Sequence, residues 1–350
     1  MSEQSRIKFG IAGLGNIAAT HARAINGLSR AEVAAACSRS EQNQNTFAHQ
    51  FDVPVYSGYH EFLNHSNLDA VTICTPSGTH LDYGKLAAEA GKHVVVEKPI
   101  EVTVKRGKEL IECCRQNGVK LAVIYQNRFI DGAVQMKKAL DNGILGDPVM
   151  VRAAVKWYRD QEYYTSSEWR GTLKLDGGGA VINQAIHTLD LLVWMMGEVE
   201  SVSALKDTLT HPGIEAEDNA VAVLKFKNGA MGVFEASTSV TPAQPRIVEI
   251  NGTRATALLT DDRVEIKPTK TNEKSVRSNK SSGAESPLSG LATGPHQKQY
   301  EQITDAFLTD GEPVVSGEES LRSLALAEAI YRSSEHQKFV SPVTLVSWHW

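Results

Sequence analysis

Two stretches of this chain place reactive side chains where ordinary packing would not put them. Residues 94–100 read Val-Val-Val-Glu-Lys-Pro-Ile, a valine run of the kind that fills the middle of a parallel sheet. The run ends on Glu97, Lys98 and Pro99. Lysine is almost never buried in such a sheet, but the carboxyl ends of its strands are where an open α/β fold holds its ligand. Lys98 therefore reads as a working ammonium, the alternative being a lysine that caps the sheet. Pro99 ends the strand because it cannot donate to the ladder. The second stretch runs from Asp176 to Asp190. Its glycines at 177, 178 and 179 let the backbone turn sharply or pass close to a ligand. In the helix that follows, Ile182, Ile186, Leu189, Val193 and Met196 are spaced as a buried stripe. Asn183, His187 and Asp190 form a second stripe beside it, with Asp190 placed to fix the tautomer of His187. A histidine on an apolar helix is often a satisfied core residue; the glycines and Asn183 favour a functional one. An imidazole that takes a proton near neutral pH and an ammonium that stabilises a developing alkoxide together suit proton removal from a carbinol.

Such groups need a frame. Ile7 to Ala12 is a short apolar strand, and Gly13-Leu14-Gly15-Asn16-Ile17-Ala18 follows at once. This is G-x-G-x-x-A leading into a helix, with Ile17, His21, Ile25 and Leu28 on one side. Gly13 allows the tight turn, Gly15 lets backbone approach a pyrophosphate, and Ala18 packs helix on strand. The free amides at the helix start, with Asn16 and Ile17 in the first turn, would face the phosphates. Further strands are expected at Val33–Cys37, Ala70–Cys74, His93–Val96 and Lys120–Tyr125, which makes a dinucleotide site the expectation for residues 1–127. Where NAD enzymes usually carry an acid after the second strand, this chain has Ser38 and Arg39. A hydroxyl and a guanidinium suit a 2′-phosphate, so the expected cofactor is NAD(P), with NADP slightly favoured. Arg39 stacked on adenine would serve NAD equally. Thr75, Ser77 and His80 follow the third strand, on the side where ribose and nicotinamide would lie, though His80 also reads as an ordinary helix-start histidine. Glu97, Lys98 and Gln126, with Asn127 and Arg128 beyond it, are further candidates for contact with cofactor or substrate.

Beyond residue 127 the pattern changes. Runs at Val221–Phe226, Ala230–Ala236, Arg246–Ile250 and Ala255–Leu259 are strand-like, and Asn228-Gly229 and Asn251-Gly252 supply hairpin chemistry. Residues 128–350 are expected to form an α+β domain with a large, mostly antiparallel open sheet. One face would be covered by helices and the other by something else, often a second subunit. The polar segment Lys270–Gly294 reads as a loop or a lid. The composition is ordinary for a globular protein, with 41% hydrophobic and 22% charged residues, and a length of 350 residues suggests two domains. A net charge of −5 argues against a nucleic-acid partner. No run approaches the roughly 18 apolar residues needed to span a bilayer, and the first residues lack the apolar core of a signal peptide. The four cysteines show no metal-type spacing and fit reduced thiols in a cytoplasmic protein; no metal is expected.

The combination of Gly13-x-Gly15-x-x-Ala18, Glu97-Lys98-Pro99 and the glycine-rich helix bearing His187 resembles the glucose–fructose oxidoreductase/inositol dehydrogenase (Gfo/Idh/MocA) family, and the resemblance spans essentially the whole chain. It implies a Rossmann domain followed by a sheet used for dimer or tetramer contacts. It also implies hydride transfer between nicotinamide and a carbohydrate carbinol, with Lys98 and His187 beside the reacting carbon. Many members carry Asp where this chain has Asn183; Asn cannot relay a proton, so Asn183 reads as a substrate-orienting amide. Asn183, together with Trp157, Tyr158, Arg159, Trp169 and Arg170, is similar to the branch acting on UDP-N-acetylglucosaminuronate at C3. Arg159 and Arg170 would hold a carboxylate or phosphate, and Tyr158, Tyr163, Tyr164 and Trp169 would stack on sugar faces or pack a domain interface. The alternatives are an NADPH-dependent keto-sugar reductase, an inositol-type dehydrogenase, and a non-catalytic dinucleotide sensor, which would need neither Lys98 nor His187.

Overall fold

The computed structural model describes residues 6–269, 276–277, 293–309 and 311–346. Apolar runs and amphipathic helices alternate first: β1 (Ile7–Ala12), α1 (Ala18–Asn26), β2 (Ala31–Cys37), α2 (Glu41–Phe51), β3 (Val55–Tyr56), α3 (Tyr59–Leu63) and β4 (Ala70–Ile73). Then come α4 (His80–Glu89), β5 (His93–Val96), α5 (Val104–Gln116) and β6 (Leu121–Val123). The six strands lie in the order β3-β2-β1-β4-β5-β6, all parallel. This is the doubly wound order whose switch point lies between β1 and β4.

The second pattern begins with α6 (Asp131–Asp141), β7 (Pro148–Lys156), α7 (Gln161–Thr165) and α8 (Ile186–Met196). It continues through β8 (Val199–Asp207), β9 (Asn219–Phe226), β10 (Met231–Ser237), β11 (Ile247–Gly252), β12 (Ala255–Thr260), β13 (Arg263–Pro268) and β14 (Val276–Arg277). Their sheet runs β14-β13-β12-β11-β7-β10-β9-β8. Every pair is antiparallel except β7 with β10, so the expected meander is interrupted. The long connection from β7 lets it return between β10 and β11. The Asn228-Gly229 turn falls between β9 and β10 as expected, with Gly229 at φ +91°. Asn251 and Gly252 instead lie within the end of β11. Three helices follow among the described residues: α9 (Thr293–Leu308), α10 (Gly317–His336) and α11 (Val343–Val346). Apart from Val276–Arg277 and the start of α9, the 270–294 segment lies outside the described residues.

The chain divides into two compact units, the first within 1–101, 105–126 and 286–320, the second within 102–104, 127–285 and 321–350. In the first, Phe9, Ile11, Ile25 and Val33 share one core with Tyr300, Ile303 and Phe307 of α9. Phe9 meets the Tyr300 ring edge-on at 5.5 Å. In the second, β9 alternates strictly, burying Ala220, Ala222, Leu224 and Phe226 and exposing Val221 and Val223. The stripe Ile182, Ile186, Leu189, Val193 and Met196 is buried as its spacing predicts.

Candidate active site

At the switch point of the first unit, Gly13 sits at φ +91° and a Cβ there would stand 2.8 Å from the Cys74 carbonyl carbon and the Thr75 nitrogen. Only glycine lets the turn after β1 lie against the end of β4. Gly15, by contrast, has nothing within 4 Å of its missing Cβ, and it and Asn16 are exposed at the start of α1. Bare, exposed backbone at a helix amino end is what a pyrophosphate requires, so these residues fit a dinucleotide. Arg39 is exposed just after β2, while Ser38 organises its own loop: its hydroxyl accepts from the Ser40 amide at 3.2 Å.

The ends of β4 and β5 are tied together by His80. Its ring is fully buried, with Nδ1 2.9 Å from the Pro99 carbonyl and Nε2 3.0 Å from the Thr75 carbonyl. Burial holds its pKa below the ordinary value. His80 thus braces the two loops instead of offering its ring to a ligand. Thr75 Oγ1 accepts from Thr79, and Ser77 is buried in the short turn that follows. Glu97 is turned inward: Oε1 lies 2.7 Å from His21 Nε2, and Oε2 accepts from the Lys98 amide at 3.0 Å. Burial opposes charge on both partners, yet their contact prevails. Glu97 is held down to about 2, and His21, with Cys74 and Glu97 beside it, is pushed up to about 10. Glu97 therefore anchors the backbone from which the half-exposed Lys98 extends. Gln126 opens a short helical turn, Gln126–Phe129, past β6.

In the second unit the glycine-rich entry is a close approach: a Cβ on Gly179 would collide with the Glu217 carbonyl oxygen at 1.8 Å. Ala180–Gln184 forms a π-helical turn before α8 begins at Ile186. This wider turn, a feature frequent at functional sites, holds Asn183, whereas His187 and Asp190 keep their three-residue spacing within α8. Asp190 is fully buried, and its carboxylate receives Arg128 Nε at 2.7 Å, Arg128 Nη2 at 2.6 Å and the Ser323 hydroxyl at 2.9 Å. Arg128, expected to meet a ligand, is buried in this ion pair. Helical periodicity carried no sign of it, because its partner lies 62 residues away. His187 is half-buried on the first turn of α8.

The π turn aims Asn183 into a polar cluster. Asn183 Nδ2 donates to Asp176 at 2.5 Å, and its Oδ1 accepts from Gln184 at 2.6 Å and from the Tyr163 hydroxyl at 3.3 Å. Arg159 reaches the same group, donating to Gln184 Oε1 at 2.7 Å. The guanidinium carbons of Arg159 and Arg170 lie 5.3 and 4.4 Å from the Tyr163 ring centroid, and each also covers a tryptophan, Trp157 and Trp169 respectively. The polar donations of these two arginines go to oxygens of Tyr158, Gln184, Tyr163 and Ser166. Neither has a carboxylate partner among the described residues, and each leaves a buried Nε without an acceptor. Burial lowers the Arg159 pKa. Tyr158 is largely exposed beside them. His211, which sequence reasoning passed over, holds the Arg159 backbone: its Nε2 is 2.8 Å from the Arg159 carbonyl and its Nδ1 2.9 Å from Asp218. Gln184 and Asp176, the partners of Asn183, lie in the same glycine-rich segment, but nothing in the spacing announces a π turn.

A doubly wound parallel sheet with a bare glycine turn, joined in sequence to a large mixed sheet, defines a dinucleotide-binding oxidoreductase architecture. Family models agree over most of the chain. Residues 7–125 match the NAD-binding Rossmann fold of the Gfo/Idh/MocA oxidoreductase family, and residues 137–345 match its C-terminal α/β domain. The chain belongs to this family, as its motifs led one to expect. A myo-inositol 2-dehydrogenase from Thermotoga maritima is 27% identical over 343 residues, covering 95% of this chain and 98% of that protein. An uncharacterized oxidoreductase, YrbE, from Bacillus subtilis is 30% identical over 265 residues, 74% of this chain and 75% of its own. The WlbA dehydrogenase from Bordetella pertussis, solved with NADH and UDP-GlcNAcA, superposes with a TM-score of 0.87 at 32% identity, covering 97% of this chain and 99% of that one. No helix among the described residues is long and apolar enough to cross a membrane.

Proposed function

We propose that this oxidoreductase oxidises a ring carbinol of a sugar acid, a nucleotide-linked sugar acid being the best fit, with NAD(P)⁺. The observation that carries this reading is the pair of guanidiniums, Arg159 and Arg170, stacked around Tyr163 with no carboxylate among the described residues to neutralise them. A partly buried, unneutralised Arg pair on aromatic rings suits a bidentate anion carried by a ligand. The solved WlbA relative holds an acid-bearing nucleotide sugar, which supports the same class. A bound nicotinamide supplies the hydride acceptor. In the proposed reaction His187 takes the hydroxyl proton as the carbinol C–H leaves with its electron pair, Lys98 stabilises the charge that builds on the oxygen, and Asn183 orients a neighbouring hydroxyl. Run backwards, the same groups would reduce a keto-sugar. A dinucleotide sensor would have no use for either Lys98 or His187.

NADP is the proposed preference, because exposed Arg39 follows β2 where an acid would read a free ribose. Two copies are proposed to pair through the open sheet face, where Leu205, Val221, Val223, Met231 and Met150 are exposed together. The register pairs Leu205 with Val221 and Met231 with Met150, with Val223 between them opposite Val233, and exposed apolar surface of this kind marks an interface. Four free cysteines fit a reducing, cytoplasmic setting.

The test is nicotinamide absorbance with NAD⁺ and NADP⁺ against free sugars, inositols, sugar acids and UDP-sugar acids. Turnover should be highest with the acids, and Arg159→Ala should raise KM for them by about 10-fold or more, the scale of one lost charged contact. Equal turnover of neutral sugars, with KM unmoved in the variant, would remove the anion from the proposal.

A further inference from the structure

The first unit holds a second cluster, which includes Glu97, the anchor of the Lys98 backbone, but takes no direct part in the proposed hydride chemistry. His21 on α1, Glu97 at the end of β5 and His296 on α9 each offer a ligand atom, and these atoms lie within 4.8 Å of one another. His21 is fully buried, and His296, 1% exposed, has no hydrogen-bond partner on either ring nitrogen among the described residues. A buried imidazole satisfied at neither nitrogen is costly, and such an orphan commonly marks an absent water or ion. The other two ligands are already oriented from behind. His21 Nδ1 lies 2.9 Å from the Tyr300 hydroxyl, which is 3.0 Å from Thr72 Oγ1. A chain in which His21 Nδ1–H donates to Tyr300 and Tyr300 donates to Thr72 holds the ring with Nε2 toward the cluster, where an arriving ion displaces the proton that Nε2 shares with Glu97. Glu97 Oε2 is held by the Lys98 amide, leaving Oε1 turned to His21. This is the outer support that metal-binding histidines and carboxylates use.

We propose that His21, Glu97 and His296 bind one divalent transition-metal ion of the zinc class through two imidazole nitrogens and one carboxylate oxygen. Imidazole ligands suit zinc and its neighbours, whereas calcium and magnesium want oxygen alone. Zinc bonds of about 2.0–2.2 Å set the donors roughly 3.4 Å apart, so side-chain shifts of about 1 Å would seat the ion. The 2.7 Å His21–Glu97 contact opens and the His296 ring closes in. The ion takes the place of the proton between His21 and Glu97, as metal binding does generally.

The full-length protein, stripped with a chelator, is titrated with Zn²⁺ against a chromophoric competitor, with Mg²⁺ as the oxygen-seeking control. Metal content is measured after gel filtration. One retained zinc per chain, no retained magnesium, and an affinity at least 10-fold weaker in His296→Gln are expected. NADH fluorescence and a metal-free melt report whether that variant folds. Tyr300→Phe provides an independent reading, because losing the support behind His21 should weaken zinc by about 10–100-fold. No retained zinc in the parent protein, or zinc held equally by both variants, overturns the proposal and leaves water or packing to account for His296.

Discussion

The Arg128–Asp190 pair gives the sharpest structural test, because the site chemistry and the structure assign Asp190 different duties. Asp190 is fully buried, Arg128 is 2% exposed at its side chain, and two hydrogen bonds of 2.7 and 2.6 Å join them. Asp190→Asn removes the charge that offsets a buried guanidinium and weakens both bonds. Losing one partner of such a pair costs about 3–5 kcal/mol, a drop of roughly 6–20 °C in melting temperature for a unit of this size. The assay is thermal and urea unfolding of the parent, Asp190→Asn, Arg128→Met and the double variant. The double variant should recover about 2 kcal/mol or more relative to the sum of the singles. Turnover of Asp190→Asn, measured well below its melting point, should stay within about 10-fold of the parent, since the bonds from Arg128 and Ser323 give the carboxylate a structural duty. A loss under about 1 kcal/mol, or additive singles, would refute the ion-pair reasoning. A collapse of turnover without loss of stability would restore Asp190 to His187.

Two further outcomes follow from named groups. Arg39→Ala should weaken NADPH more than NADH by about 10-fold, the scale of one charged phosphate contact; fluorescence titration with both cofactors checks this, and equal losses would undo the NADP preference. Acid stability should depend on Asp218. Burial alone would raise its pKa, but the amides of Leu209 and Thr210 and the His211 ring outweigh this and hold it below the ordinary value of 3.8. With the folded value depressed, the stabilisation is complete above pH 3.8 and is lost as pH falls through the lower folded value. Asp218→Asn should therefore flatten the stability–pH curve in that acid window, seen by urea unfolding at stepped pH, and an unchanged slope would contradict the assignment.

Much of the first unit was legible because local rules dominate it. Strand, glycine turn and helix follow one another within residues 7–26, and the valine run could only be central. The return of α9, whose Tyr300 and Phe307 complete the first core, was not legible: its helical stripe shows an apolar face but not which unit buries it. The second sheet showed as strand runs, with the Asn228-Gly229 turn in place but Asn251-Gly252 inside β11, and register alone put β7 beside β10. Residue types nominated Lys98, His187, Asn183, Arg159 and Arg170 as candidates. Their partners were silent, since Gln184 rotates into place through a π turn and His211 reaches Arg159 across 52 residues. His80 was noticed for its position after β4, yet only the fold reveals it as a brace between Thr75 and Pro99.

The central claim is that Lys98 and His187 carry the proton and charge of a hydride transfer. Its most direct test is the turnover of Lys98→Ala and His187→Ala on the best acid-bearing sugar, beside their dinucleotide affinity. The account predicts kcat lower by about 100-fold or more in each, with NAD(P)H binding within a few-fold of the parent. Normal turnover in either variant would remove that residue from the mechanism, and loss of turnover only through loss of dinucleotide binding would contradict the account.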